Sequence, residues 1–177
     1  MNIYNIIPTT SYNDLLTKNY FLKIAYEIIK ISDLENQNTV LDYGCGEKIF
    51  KKLLRKPKLF NYDIKPQYNE VLNVRDHFDS DVVIFNHVWM YIPLKEINEI
   101  LSEIKSANRN CKIILSMAKQ NFISKIAMIL AGKPKAHNNT VTTYNDQLNV
   151  LKKFCKVINI KKNIYFMTDI FYGEYIK

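Results

Sequence analysis

Residues 81–88 read Asp-Val-Val-Ile-Phe-Asn-His-Val. A strand sends successive side chains to opposite faces of its sheet, so a run that is apolar at four successive positions must be covered on both faces. Residues 111–117, Cys-Lys-Ile-Ile-Leu-Ser-Met, apolar at three successive positions, read as another buried strand. Sheets covered on both sides are built from parallel strands joined by crossover helices. This requirement excludes a sheet with one wet face and sets the search for helices between the strands.

Those helices are legible. Ser11-Tyr12-Asn13-Asp14 reads as a capping box, and Leu15, Leu22, Ala25 and Ile29 continue it as a helix to about Ile31. Residues 39–43 are a short β-prone run. Ile49, Phe50, Leu53 and Leu54 form one stripe of a short helix closed by Pro57. Residues 59–64 read as a second strand and 70–74 as a weaker third. Pro93 opens a helix in which Leu94, Ile97, Leu101 and Ile104 share a face, and residues 121–131 read as a short apolar helix ended by Gly132 and Pro134. Thr143-Tyr144-Asn145-Asp146 is a second capping box, for a helix to about Phe154, and residues 156–161 and 169–176 alternate as closing strands. Strands alternating with helices predict an α/β fold with a doubly wound, mostly parallel sheet. With no repeat and no linker, residues 1–177 read as a single domain.

Glycine then locates a site. The chain has only four, and two of them, Gly44 and Gly46, lie two residues apart at the end of the first predicted strand, within Asp42-Tyr43-Gly44-Cys45-Gly46-Glu47. The first βα turn of such a sheet borders the crevice where ligands bind, and glycine lets backbone turn tightly and approach a ligand. The dinucleotide pattern G-x-G-x-x-G fails, because Ile49 holds the sixth position. What remains is an acid two residues before a G-x-G, with a second acid, Asp63, near the end of the next strand, where a carboxylate suits ribose hydroxyls.

Val40-Leu41-Asp42-Tyr43-Gly44-Cys45-Gly46 resembles motif I of class I S-adenosylmethionine-dependent methyltransferases, in their small-molecule branch. Asn61-Tyr62-Asp63-Ile64 resembles motif II, and residues 78–88 resemble the fourth strand and its exit loop. The resemblance runs from about Thr39 to the C-terminus. It implies a Rossmann-like sheet with an antiparallel C-terminal strand, and S-adenosylmethionine as cofactor. Position by position, it implies that Gly44, Cys45 and Gly46 line the methionine end and that Asp42 meets its ammonium group. It places Asp63, with Ile64 beside it, at the ribose, Asp76 near the adenine amine, and Asn86 and His87 at the methyl donor. Three departures stand out: Lys48 replaces a frequent third glycine, the loop between Asp76 and Asp81 is short, and the segment after Asp63 has no room for a full helix.

The donor in that family is already activated, so the protein mainly positions it in line with a nucleophile. A base is needed only where the acceptor must lose a proton. His87 is the first candidate, because an unperturbed histidine titrates near pH 6.5. Tyr91, where relatives often carry histidine, and His137, in a polar segment that faces the acceptor in relatives, are the others. Asn86-His87-Val88-Trp89 is not the Asn/Asp-Pro-Pro-aromatic motif of base-amine methylation, and no Pro-Cys motif offers a thiolate. The acceptor is therefore expected to be a small molecule, sugar or lipid-linked intermediate. Residues 1–35 are expected to act as a lid segment. Residues 121–143, an insert after strand five, carry Phe122, Ile123, Ile126, Met128, Ile129 and Leu130, which read as core or dimer contact or, more sharply, as an apolar acceptor site or membrane-surface contact.

Net charge is +8, but only three of the 25 basic residues are arginine, the residue suited to bidentate phosphate contacts. That weighs against nucleic acid as partner, although the basic run 48–58 keeps an RNA-modifying enzyme as the alternative, alongside a non-catalytic cofactor-binding protein of the same fold. Cys45, Cys111 and Cys155 show no ligand spacing and suggest free thiols, hence no metal and a reducing compartment. Without an apolar run of spanning length or a leader pattern, a cytoplasmic location is expected.

Overall fold

A computed structural model describes residues 15–132, 134 and 139–176. Its strands are β1 (Thr39–Tyr43), β2 (Lys58–Tyr62), β3 (Val82–Asn86), β4 (Lys112–Ala118), β5 (Cys155–Ile164) and β6 (Thr168–Tyr175). Its helices are α1 (Leu15–Ser32), α2 (Ile49–Leu53), α3 (Leu94–Ala107), α4 (Phe122–Leu130) and α5 (Tyr144–Phe154). The sheet order is β2-β1-β3-β4-β6-β5. β2, β1, β3 and β4 pair in parallel, while β6 runs antiparallel between β4 and β5.

The two apolar runs become β3 and β4 at the centre of the sheet. Their side chains divide by parity between two cores. Val83, Phe85, Ile113 and Leu115 join Ile97, Leu101 and Ile104 of α3 and Val150 and Leu151 of α5. Val82, Ile84 and Ile114 join Leu22, Ile24, Ala25 and Ile28 of α1 and Ile49 and Phe50 of α2. The predicted N-terminal helix is thus a full layer of the core, with Ile24, Ala25 and Ile28 wholly buried. Its predicted capping box lies outside the described residues. The second capping box forms: Thr143 Oγ1 accepts from Asp146 N, and the Asp146 carboxylate accepts from Thr143 N.

One element is corrected. Residues 70–74 do not form a third strand; the chain there is irregular and then makes a single 3-10 turn, Val74–His77. Glu70 N makes a single backbone bond to Asn61 O of β2 (2.9 Å) that does not extend into a ladder; its carboxylate is held by Lys48 and Lys51 (2.9 and 2.6 Å) and by Asn61 Nδ2 (2.7 Å), and Leu72 is left fully exposed. Partial burial raises the Glu70 pKa, but the carboxylate's three hydrogen bonds outweigh it and bring it down to about 2. β2 is therefore the edge of the sheet.

β1 and β3 are locked together at their amino ends by one carboxylate. Asp81 Oδ2 accepts from Asn38 N (3.0 Å) and Thr39 N (2.9 Å), while Asp81 N donates to Thr39 Oγ1 (3.0 Å). Asp81→Ala is expected to cost about 1–3 kcal/mol, since it leaves a partly buried amide without its acceptor. Urea unfolding with an unchanged m-value is the check.

Candidate functional site

The carboxyl ends of β1 and β3 meet at the glycine turn. Gly44 N and Cys45 N both donate to Tyr62 O at the end of β2 (2.7 and 2.9 Å), which folds the turn back over the sheet edge. Gly44 has φ +81°, and a Cβ there would come within 2.4 Å of Val88 Cγ2, just beyond β3. Gly46 has φ +46° but faces open space. Lys48, at the position of the missing third glycine, keeps a left-handed backbone (φ 55°). The turn requires that conformation, and the chain meets it with lysine at an energetic cost.

Asp42 points from β1 into the interior beneath this turn. It is 1 % exposed, and neither carboxylate oxygen has a hydrogen-bond partner among the described residues. Burial first, and the neighbouring Asp63 second, push its pKa up to about 8. A buried, unpaired carboxylate is costly unless a cation or donor meets it. Asp63 is held at the mouth of the turn: Oδ2 accepts from Gly46 N and Oδ1 from Lys65 N, each at 2.9 Å. A carboxylate has about four acceptor positions, so two remain. Cys45 is buried with its thiol against Tyr68 O (3.5 Å), and burial raises its pKa, so it is not a thiolate nucleophile.

At the end of β3, Asn86 and His87 are fixed by Ser116 of β4. Ser116 Oγ donates to Asn86 Oδ1 (2.5 Å), and His87 N donates to Ser116 Oγ (3.0 Å) and Ser116 O (3.2 Å). His87 has φ 58°, a left-handed position that turns its ring toward α1 and β6. Its Nε2 lies 3.0 Å from Thr168 Oγ1, which in turn is hydrogen-bonded to the Tyr20 hydroxyl. The rings of Tyr20 and Phe21 stand edge-on to the imidazole at 5.9 and 5.6 Å. Burial pushes the Tyr20 phenol up to about 12, against the opposing effect of its Thr168 bond, so it stays neutral near pH 7.

The sequence-predicted residues therefore divide. Asp42, Gly44, Cys45, Gly46 and Asp63 assemble around one turn, and Val88 places the end of β3 against it. Ile64 is exposed. Asp76 is exposed on the 3-10 turn, its carboxylate accepting from Asn73 Nδ2 (2.8 Å). Tyr91 closes a further 3-10 turn, Trp89–Tyr91, and is half-exposed. His137 lies outside the described residues. Sequence reasoning missed Tyr20, Ser116 and Thr168. Ser116 carried a signal, as a lone hydroxyl in an otherwise apolar strand; Thr168 and Tyr20 carried none.

No protein-family model and no curated protein matches the chain by sequence. Solved structures do match. A protein from Pyrococcus horikoshii OT3 superposes with a TM-score of 0.68 at 13% identity, covering 99% of both chains. Magnesium protoporphyrin IX methyltransferase from Synechocystis PCC 6803, with bound SAH, gives 0.61 at 12% identity, covering 92% of this chain and 88% of that one. Mitomycin 7-O-methyltransferase gives 0.60 at 12%, covering 94% and 61%. The fold is that of the class I S-adenosylmethionine-dependent methyltransferases, Rossmann-like with an antiparallel strand inserted near one edge.

Two outcomes test this geometry. Gly44→Ala, which adds a clash to a left-handed backbone, is expected to cost about 2–4 kcal/mol, whereas Gly46→Ala, with space for the methyl, costs about 1 kcal/mol. Paired urea titrations measure both. Because the folded Asp42 pKa is raised above its unfolded value, the native state holds the extra proton between about pH 3.8 and about 8. Stability from this group is therefore lost as pH rises through that window. Asp42→Asn is expected to remove that component of the slope, measured as unfolding midpoints across the same pH range.

Proposed function

We propose that this chain is an S-adenosylmethionine-dependent methyltransferase that acts on a small-molecule, sugar or lipid-linked acceptor. The observation that carries the reading is Asp42: a wholly buried carboxylate without a partner among the described residues, beneath a turn that admits no side chain at Gly44. Such a group suits an incoming ammonium, whose arrival would ionise it and supply the missing counter-charge. Gly46, which faces open space, leaves room beside the turn for the chain that carries that ammonium. Asp63, with two acceptor positions left, suits a pair of ribose hydroxyls. The sulfonium of such a cofactor supplies an already activated methyl group.

The chain's own residues then have to orient the acceptor and take its proton where it has one. His87 is the proposed base for a hydroxyl acceptor. Ser116 fixes its backbone and Thr168 fixes its Nε2, so the ring is preorganised by contacts from two strands. Trapped between Tyr20 and Phe21, it lies in a site walled by α1, consistent with a helix that shields the acceptor from water. Tyr91 and His137 remain secondary candidates on the acceptor side. Two lysines of the basic run 48–58, Lys48 and Lys51, are committed to Glu70, which weakens the RNA-modifying alternative.

Calorimetry with S-adenosylhomocysteine tests the cofactor reading. Binding is expected for the wild type, weakened by about 1–3 kcal/mol in Asp63→Ala, with a larger loss in Asp42→Ala. Failure of the folded wild type to bind at millimolar ligand overturns it. If His87 acts as base, His87→Gln is expected to lower kcat by about 100-fold or more while leaving cofactor affinity within a few-fold.

A further inference from the structure

α4 is inside out. Its nine residues, Phe-Ile-Ser-Lys-Ile-Ala-Met-Ile-Leu, have the composition of a core helix, yet the buried member is Ser124. Ser124 faces inward because it completes a capping box with Asn121: Ser124 N donates to Asn121 Oδ1 (2.8 Å) and Asn121 N donates to Ser124 Oγ (3.0 Å). Phe122 is 76 % exposed and Leu130 72 %, and Ile123, Ile126 and Ile129 are exposed with them. This corrects the expectation that the apolar insert packs as core.

A second exposed apolar feature adjoins it. The hairpin between β5 and β6 turns at Tyr165 and Phe166, with φ 48° and 60° and Met167 N donating to Ile164 O (3.0 Å). Three residues, Tyr165–Met167, connect the strands. Left-handed turn positions favour Asn or Gly, so bulky aromatic residues there are strained. Both are more than half exposed. The tip is tied to α4, since Asn121 Nδ2 donates to Phe166 O (2.8 Å) and Lys119 N donates to Met167 O (2.7 Å). Tyr165 keeps a ring contact with Tyr20 (centroids 6.3 Å), but Phe166 is 64 % exposed on a strained backbone, and strain of this kind accumulates where a surface has a task.

The charge at these features is basic. Lys119 is paired with Asp169 (2.8 Å) and Lys161 with Glu27 (3.6 Å). Exposed Lys125 lies within α4, and exposed Lys162 lies three residues before Tyr165. No acid lies within α4 or residues 155–168. An exposed apolar helix face with lysine beside it is the pattern of segments that lie in the interface of an anionic bilayer, where apolar side chains enter the acyl boundary and lysines meet the headgroups.

We infer that α4 and the Tyr165–Phe166 tip together form a docking face for an anionic membrane surface. The face borders Thr168, and so the His87 contact, at the carboxyl end of β4. Resting on the methyltransferase reading above, this selects an acceptor that resides in the bilayer, a lipid or lipid-anchored hydroxyl, over a freely soluble metabolite. No helix among the described residues is long and apolar enough to cross a membrane, so the attachment is peripheral.

The experiment is flotation of the full chain with phosphatidylcholine vesicles, with and without about 30% phosphatidylglycerol. Binding is expected only with the anionic lipid and should weaken with added salt. Phe122→Ser with Leu130→Ser should lower the partition coefficient about tenfold or more. Tyr165→Asn with Phe166→Gly should lower it too while leaving the fold at least as stable, because it installs the turn residues the backbone prefers. That pairing separates lost docking from lost folding. No binding to anionic vesicles, equal binding to neutral ones, or unchanged binding by both folded variants overturns the inference. So does a dimer in sedimentation that the Phe122 and Leu130 changes dissolve while vesicle binding is absent, which would assign the face to a second copy. S-adenosylhomocysteine calorimetry on the same variants should be unchanged, so a failure of docking and a failure of the cofactor reading are told apart.

Discussion

β3 has no wet side. Its Val82 and Ile84 are wholly buried against α1 and α2, and its Val83 and Phe85 are wholly buried against α3 and α5. The rest of the molecule follows from satisfying that strand. Parallel neighbours on both edges require crossover helices, and crossovers put the βα turns at one end of the sheet. The glycine turn after β1 and the Asn86-His87 exit from β3 are neighbours for this reason, although 40 residues separate them.

At that end of the sheet, local stability is repeatedly given up. Asp42 is buried without a partner among the described residues, and Gly44 excludes any side chain. Lys48, His87, Tyr165 and Phe166 all hold left-handed backbone conformations that their side chains disfavour. The other end of the sheet behaves in the opposite way: Asp81 meets two amides and returns its own N–H to Thr39. Apart from Asp33 (φ 49°), which precedes β1, this strain and unmet polarity gather at the carboxyl ends of the strands, where the candidate site lies.

Much of this was legible from residue order alone. The two apolar runs predicted β3 and β4, the spacing Asp42-x-Gly44-x-Gly46 predicted the turn, and Thr143 with Asp146 predicted the start of α5. The weak strand at 70–74 was misread because its β-prone residues gave no hint that Glu70 would be claimed by Lys48, Lys51 and Asn61. α4 forms where it was predicted, but of the readings its apolar residues allowed, core packing is the one the structure removes. Apolar composition says that a helix wants burial, but it does not say whether this chain provides the cover.

The sequence by itself determined the architecture and the position of the turn, because periodicity and glycine spacing act through local sterics and through which faces must be dry. Only the tertiary structure decided what surrounds each chemical group. That Asp42 lacks a partner among the described residues, that Thr168 and Tyr20 reach His87 across 81 and 67 residues of chain, and that Ser124 rather than Phe122 points inward all depend on side chains brought together from distant segments. Electrostatics and solvation fall off with distance in space, and sequence separation does not encode that distance.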